Sequence, residues 1–189
     1  MRISAADIAS ASNAQLHGNA TASFERFAFD SRRIHSGRPS CFIALHTATG
    51  DGHTYIPDAI NAGAEVIVCR NPTPWQAQHP NTAFVVHPDP LEVLRSWAAR
   101  SRASLQGKLL ALTGSNGKTV VKGWMMELAG TPVDWYRTPG SFNSELGVPL
   151  TLCGISAEHH AAIIEVGIDR PSTMQQHEAL VQPDFGVFT

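Results

Sequence analysis

Apolar positions fall in short blocks along the chain, and the spacing inside those blocks changes between two periods. Residues 24–30 and 40–45 read as short strands, the second being a compact apolar run. Residues 55–62 carry a helical pattern that stops at Gly63, and 65–69 and 83–87 again read as strands. Pro72, Pro74 and Pro80 oppose a continuous helix or strand between those last two runs. Asp89-Pro90 then opens a helix in which Leu91, Leu94, Trp97 and Ala98 share one apolar face, fading near Ser104. A buried-strand run at 109–113 leads directly into Gly114-Ser115-Asn116-Gly117-Lys118-Thr119. A helix follows with Val121, Trp124, Met125 and Leu128 at i, i+3, i+4 and i+7, ended by Gly130 and Pro132. Residues 161–166 and 185–189 are further apolar runs, with a helix capped by Ser172 or Thr173 between them, running to about Val181.

This alternation predicts an α/β fold with a mostly parallel sheet in its second half. The polar, glycine-containing stretch 105–108 predicts a joint between a first domain of residues 1–104 and a second of 109–189. Gly186-Val187-Phe188-Thr189 is an apolar strand without cap or polar tail, so the sequence is expected to be a piece of a longer chain, ending in a strand at the centre of its sheet.

Composition narrows the function classes. The 189 residues carry a net charge of −2, which supplies no whole-chain attraction to nucleic acid or an anionic membrane. A hydrophobic fraction of 43% excludes wholesale disorder, and no apolar run reaches the length of a membrane span. The N-terminal residues lack the apolar stretch of a secretion signal. Cys41, Cys69 and Cys153 form no CxxC pair, which predicts a reduced, cytoplasmic protein.

The chemistry concentrates in the glycine loop. A strand delivers the chain, glycines let backbone N–H groups turn toward an anion, and a helix N-terminus faces that anion. Lys118 supplies a positive charge for phosphates and Thr119 a hydroxyl for Mg²⁺. The spacing departs from G-x-x-x-x-G-K-[ST]: Leu112 stands where the first glycine would be, and Gly114 lies closer. A plain strand–helix turn with an exposed lysine is the alternative. Glu165, near the end of an apolar strand beside the loop strand, is the candidate carboxylate for a hard cation, or else a surface residue at a strand end. The adjacent His159-His160 pair reads as solvated. Trp97 and Trp124 read as core residues, and Cys69 and Cys153 as small buried hydrophobes.

These motifs resemble those of the Mur ligases, ATP-dependent amide-forming enzymes of peptidoglycan synthesis. Thr113-Gly114-Ser115-Asn116-Gly117-Lys118-Thr119 is similar to their shortened loop T-G-x-x-G-K-T. Asp30-Ser31-Arg32, Gly37 and Phe42-Ile43-Ala44-Leu45 resemble the family's N-terminal pattern, as do Asp51-Gly52-His53-x-Tyr55 and Ala62-Gly63-Ala64. The block from Thr138 to Pro149, with Asn143, Ser144 and Gly147, and the stretch Ile164-Glu165-Val166-Gly167 resemble its later motifs. Asn143-Ser144-x-x-Gly147-Val148-Pro149-Leu150 is most similar to the branch that adds D-Ala-D-Ala. Ser144 and Ile168-Asp169-x-Pro171-x-x-Met174 resemble the ligase half of a fusion with an alanine racemase.

The resemblance implies a small N-terminal α/β domain for a UDP-sugar peptide, then the first part of a P-loop ATPase domain. A third, C-terminal domain of the family has no counterpart in this sequence. The cofactors implied are ATP and Mg²⁺, and the substrates UDP-MurNAc-tripeptide and D-Ala-D-Ala. A monomer is implied for the full-length enzyme, with neither nucleic acid nor a membrane span involved. The implied roles are phosphate binding by Gly114, Ser115, Asn116, Gly117, Lys118 and Thr119, metal binding by Thr119 and Glu165, and catalysis by Lys118, Asn143 and Glu165. Ser31, Arg32, Asp51, Gly52, His53, Asn143 and Ser144 are the implied substrate contacts. For Ser31 and Arg32 an ordinary strand-to-turn connection is the alternative, and for Asp51-Gly52-His53 a turn with a capping aspartate. A ligase adding meso-diaminopimelate or lysine, or a non-catalytic nucleotide-binding module, would fit the same residues.

Overall fold

The computed structural model describes residues 2–35, 37–47, 50–130, 133–168 and 172–189. Of the positions singled out above, Pro132, Asp169 and Pro171 lie outside the described residues. The chain divides into two compact units, Met1–Ser96 and Trp97–Thr189.

The first unit contains β1 (Ile3–Ser4), α1 (Ala5–Ala11), β2 (Gln15–Gly18), β3 (Ser23–Phe24), β4 (Arg26–Ala28), β5 (Ser40–Ile43), β6 (His46–Thr47), β7 (Gly50–Asp51), α2 (Ile56–Asn61), β8 (Ala64–Cys69), α3 (Thr73–Gln76) and β9 (Ala83–Val86). Its main sheet has the order β2-β9-β8-β5-β4, parallel except where β2 runs antiparallel to β9. All four residues of β5 are buried, the expected consequence of a parallel strand covered on both faces. Phe42, Ile56, Ala59, Ile67 and Phe84 form the centre of the core.

Two sequence expectations change here. Residues 24–30 are not one strand: the chain breaks at Glu25, so β3 pairs with β1 while β4 pairs with β5. Glu25 N–H leaves the ladder to donate to Pro39 O at 2.9 Å, which sets the break. The proline-rich loop contains the one-turn helix α3, with Pro74 in its first turn, where a missing N–H leaves no bond unmade.

Helix α4 (Pro90–Ser104) runs across the division between the units. Beyond it come β10 (Lys108–Thr113), α5 (Lys118–Leu128), β11 (Trp135–Arg137), α6 (Gly147–Leu152), β12 (Ala161–Glu165), α7 (Thr173–Val181) and β13 (Phe185–Phe188). Their sheet, β11-β12-β10-β13, is parallel throughout. Strand β13 lies at the edge of this described sheet, not at its centre, and Phe188 is 76% exposed. The centre is β10 with β12, in register from Lys108↔Ala161 to Leu112↔Glu165. Their carboxyl ends therefore emerge side by side, and this pairing positions the site.

Helix α5 also departs from its pattern. Its fully buried residues are Lys122 and Met126, with Val121 and Met125 half-buried, whereas Trp124 is 61% and Leu128 89% exposed. The helix is rotated so that a lysine faces the sheet. The buried ammonium has partners there, described below, and the tryptophan expected in the core lies on the outer face. Trp97 is buried, as expected.

Candidate functional site

The loop after β10 takes its shape from two glycines in the left-handed region, Gly114 at φ 129° and Gly117 at φ 82°. A Cβ on Gly114 would fall 2.0 Å from the carbonyl oxygen of Thr189, so only glycine fits that close approach. Gly117 is the N-cap of α5 and contributes no side-chain acceptor, which leaves the first amides of the helix to a ligand or solvent. Ser115, Asn116 and Gly117 are exposed. Lys118 folds back, its Nζ donating to Gly114 O at 2.6 Å. A helix N-terminus without a side-chain cap, a glycine backbone and a flexible ammonium are the parts a phosphate cradle needs.

At the next residue, Thr119 Oγ1 donates to Glu165 Oε2 at 3.1 Å. Glu165 ends β12 and is completely buried, so it is not a surface residue at a strand end. Its N–H donates to Thr138 Oγ1 at 2.8 Å, and its Oε2 also receives Asn143 Nδ2 at 3.4 Å. Asn143 is held in turn by Gly167 N–H, which donates to its carbonyl at 2.7 Å. A Cβ at Gly167 would come 2.7 Å from that carbonyl, so the close approach requires glycine. The hydroxyl and carboxylate oxygens gathered here are hard donors of the kind Mg²⁺ takes.

Sequence reasoning missed Lys122. Its Nζ lies 2.6 Å from Glu165 Oε1 and donates to Thr138 O at 2.8 Å and Gly140 O at 2.5 Å. The available signal was a lysine four residues after Lys118, at the position that Met126 repeats four residues later. Ser144 is exposed, and its hydroxyl accepts from Gly147 N–H at 3.2 Å at the start of α6.

The remaining candidates lie in the first unit. Ser31 and Arg32, with Phe29, Asp30, Tyr55 and Asp58, line a cavity of about 410 Å³. Arg32 grips Asp30 with two bonds, Nε to Oδ1 at 2.8 Å and Nη2 to Oδ2 at 2.9 Å. Those bonds hold the Asp30 carboxyl below its ordinary range. Asp51, Gly52 and His53 do not line this cavity. Asp51 Oδ1 accepts from His53 N–H and sits 2.6 Å from its Nδ1, while His53 Nε2 accepts from Arg70 N–H at 3.0 Å. A Cβ on Gly52 would fall 2.8 Å from the backbone of Leu45. The three residues thus build a turn.

The residues discounted earlier have structural partners. His159 Nδ1 accepts from Ser156 N–H at 3.0 Å, and its ring packs edge-on to Tyr136. It is half-buried, not solvated, whereas its exposed neighbour His160 lies 3.1 Å from Asp134. Among the described residues, no group of three or more His, Cys, Asp or Glu could hold a metal ion. Burial pushes the Cys69 thiol up to about 12, and the Cys153 thiol upward too.

The site can be set beside known proteins. Residues 112–189 match the Mur ligase middle domain. Over these residues the chain is similar to the Mur ligase family. It is 30% identical over 192 residues to the UDP-N-acetylmuramoyl-tripeptide--D-alanyl-D-alanine ligase of Haemophilus influenzae, covering 97% of this chain and 40% of the relative. The enzyme of the same name from Bacillus subtilis is 28% identical over 174 residues, covering 92% of this chain and 35% of the relative. The chain thus spans about two fifths or less of the length of these Mur ligases. A UDP-N-acetylmuramoylalanyl-D-glutamyl-2,6-diaminopimelate--D-alanyl-D-alanyl ligase structure from Acinetobacter baumannii superposes over the whole chain with a TM-score of 0.86 at 26% identity, and the match covers 41% of that protein. The MurF ligase of Thermotoga maritima in complex with ADP shares the fold, with a TM-score of 0.72 at 24% identity over 87% of this chain and 37% of its own. The mixed α/β architecture with mostly parallel sheets is therefore that of the Mur ligases.

Proposed function

We propose that this chain carries the nucleotide-binding and nucleotide-sugar-binding parts of an ATP-dependent ligase that adds D-Ala-D-Ala to UDP-MurNAc-tripeptide. The observation that carries this reading is the Thr119–Glu165 contact at the foot of the glycine loop. It sets a hydroxyl and a buried carboxylate beside a phosphate cradle. ATP's γ-phosphoryl group passes to the tripeptide's terminal carboxylate, giving an acyl phosphate and ADP. The amine of D-Ala-D-Ala attacks the acyl carbon, and phosphate leaves from the tetrahedral intermediate. A carboxylate is a poor electrophile, so phosphorylation supplies the leaving group, and the protein's part is positioning and charge neutralisation.

The loop amides and Lys118 hold the phosphates, for which Lys118 exchanges its bond to Gly114 O. Thr119 and Glu165 are the residues that would hold Mg²⁺, which when bound neutralises phosphate charge. Asn143, fixed by Gly167, faces the same point and orients the reacting groups. In the first unit, Ser31 and the forked guanidinium of Arg32 suit the anionic part of the nucleotide sugar. The names of the relatives support D-Ala-D-Ala as the amine. Three buried cysteines outside any disulfide suit a cytoplasmic setting.

Lys118→Ala tests the reading in the whole protein that carries these residues. Ligation is followed by phosphate release with ATP, Mg²⁺, UDP-MurNAc-tripeptide and D-Ala-D-Ala. The expected loss in turnover is several orders of magnitude, since one preorganised charge at a phosphoryl transition state contributes about 3–4 kcal/mol. Ligation near the unaltered rate would sink the assignment.

A further inference from the structure

Lys122 is a buried cation paired with a buried carboxylate. Its side chain is 7% exposed, and its ammonium meets three acceptors: Thr138 O, Gly140 O and Glu165 Oε1. Two of the three donors of the ammonium go to backbone carbonyls, and Glu165 Oε1 stands against it as an ion pair. The two oxygens of Glu165 are thereby divided. Oε1 belongs to Lys122, and Oε2 faces Thr119 and Asn143. The same ammonium ties α5 to the segment 138–140 that leads to Asn143.

We propose that Lys122 is the resident counter-ion of Glu165, orienting its carboxylate and making divalent-cation binding depend on nucleotide. The inference rests on the reading of Glu165 as the metal-facing carboxylate. The argument is Coulombic. Glu165 and Lys122 form a pair with no net charge in a buried place, where charges interact more strongly than in water. A dication approaching Oε2 alone meets attraction and repulsion together. It is retained when ATP phosphates add the negative charge that the pair lacks. Lys122 is in this sense a positioning residue rather than a catalytic one.

Retention of Mn²⁺, a paramagnetic stand-in for Mg²⁺, is measured by the EPR signal of free Mn²⁺ with the full chain, with and without a non-hydrolysable ATP analogue. The unaltered chain is expected to bind Mn²⁺ at least ten times more tightly with the analogue present. Lys122→Gln keeps a donor toward the Thr138 and Gly140 carbonyls and removes the charge. It is expected to bind Mn²⁺ without nucleotide at least tenfold more tightly than the unaltered chain, and adding Glu165→Gln should abolish that gain. Lys122→Arg, which keeps the charge, should restore nucleotide dependence. Absence of any gain in a folded Lys122→Gln chain, judged by circular dichroism, overturns the proposal. Should that variant unfold, the unaltered chain decides: equal Mn²⁺ affinity with and without the analogue overturns it. Glu165→Gln alone separates the two readings. If it leaves Mn²⁺ binding to the analogue complex unchanged, Glu165 does not face the metal, and the site reading itself fails.

Discussion

Asp184 shows how much a single side chain organises in the second unit. It sits just before β13 and receives Lys108 Nζ at 2.7 Å, Leu109 N–H at 2.9 Å and Arg102 Nη2 at 3.4 Å. Its own N–H donates to Leu109 O at 2.9 Å, so the start of β13 is pinned to β10. The bond from Lys108, then the one from Leu109, holds the carboxyl below its ordinary 3.8. A carboxyl lowered in the folded state stabilises the fold above its unfolded value and loses that contribution as pH falls through the folded one. Asp184→Asn should therefore lower the melting temperature at neutral pH. The gap to the unaltered chain should narrow as pH falls below about 3.8. A gap that stays constant across that range would show that charge plays no part. Asp184 was not legible as a residue of interest, because its three partners come from 75 or more positions away. Glu165 was legible, because a lone acid ending an apolar run has few places to go except a strand end.

Among the elements, α5 separates apolar character from burial. Its spacing marks Val121, Trp124, Met125 and Leu128 as one face, yet the sheet receives Lys122 and Met126. A one-residue rotation of the face follows from the ion pair. The Lys122 ammonium must reach Glu165 on β12, and an unpaired Glu165 buried there would be far more costly than an exposed tryptophan. Two substitutions measure this. Trp124→Gln should change stability by no more than about 0.5 kcal/mol, as surface positions do. Met126→Ala should cost roughly 2–5 kcal/mol, as truncations in a packed core do. Denaturant melts that reverse the order would place the core on the wrong side of the helix.

For the molecule as a whole, two units with separate sheets and separate cores should not melt as one cooperative block. Calorimetry is expected to resolve two transitions. ATP with Mg²⁺ should raise only the one belonging to Trp97–Thr189, because the glycine loop, Thr119 and Glu165 all lie there. At a ligand concentration one hundred times the dissociation constant the shift corresponds to about 2.7 kcal/mol. A single transition that moves as a whole on adding nucleotide would count against independent units.

By itself the sequence determined the α/β class and the glycine loop, and marked Thr119 and Glu165 as its companions, with Asn143 added by the resemblance to the Mur ligases. Those features are local. Glycines, a lysine and a hydroxyl must be contiguous to wrap an anion, and apolar runs announce strands wherever they pair. The first 23 residues carried no such signal, and α1 and β2 were not anticipated; α1 is short, held by the Ser4 cap on Asp7 N–H and by Ile8 and Ala9 in the core. Only the tertiary structure decided the rest. It joined β10 and β12 so that Thr119 meets Glu165 across 46 residues of chain. It turned α5 to bury Lys122, and it bound Asp51, Gly52 and His53 into a turn. Each of these depends on a partner far away in sequence, and the strength of a buried charge or a close backbone approach exists only once that partner is in place.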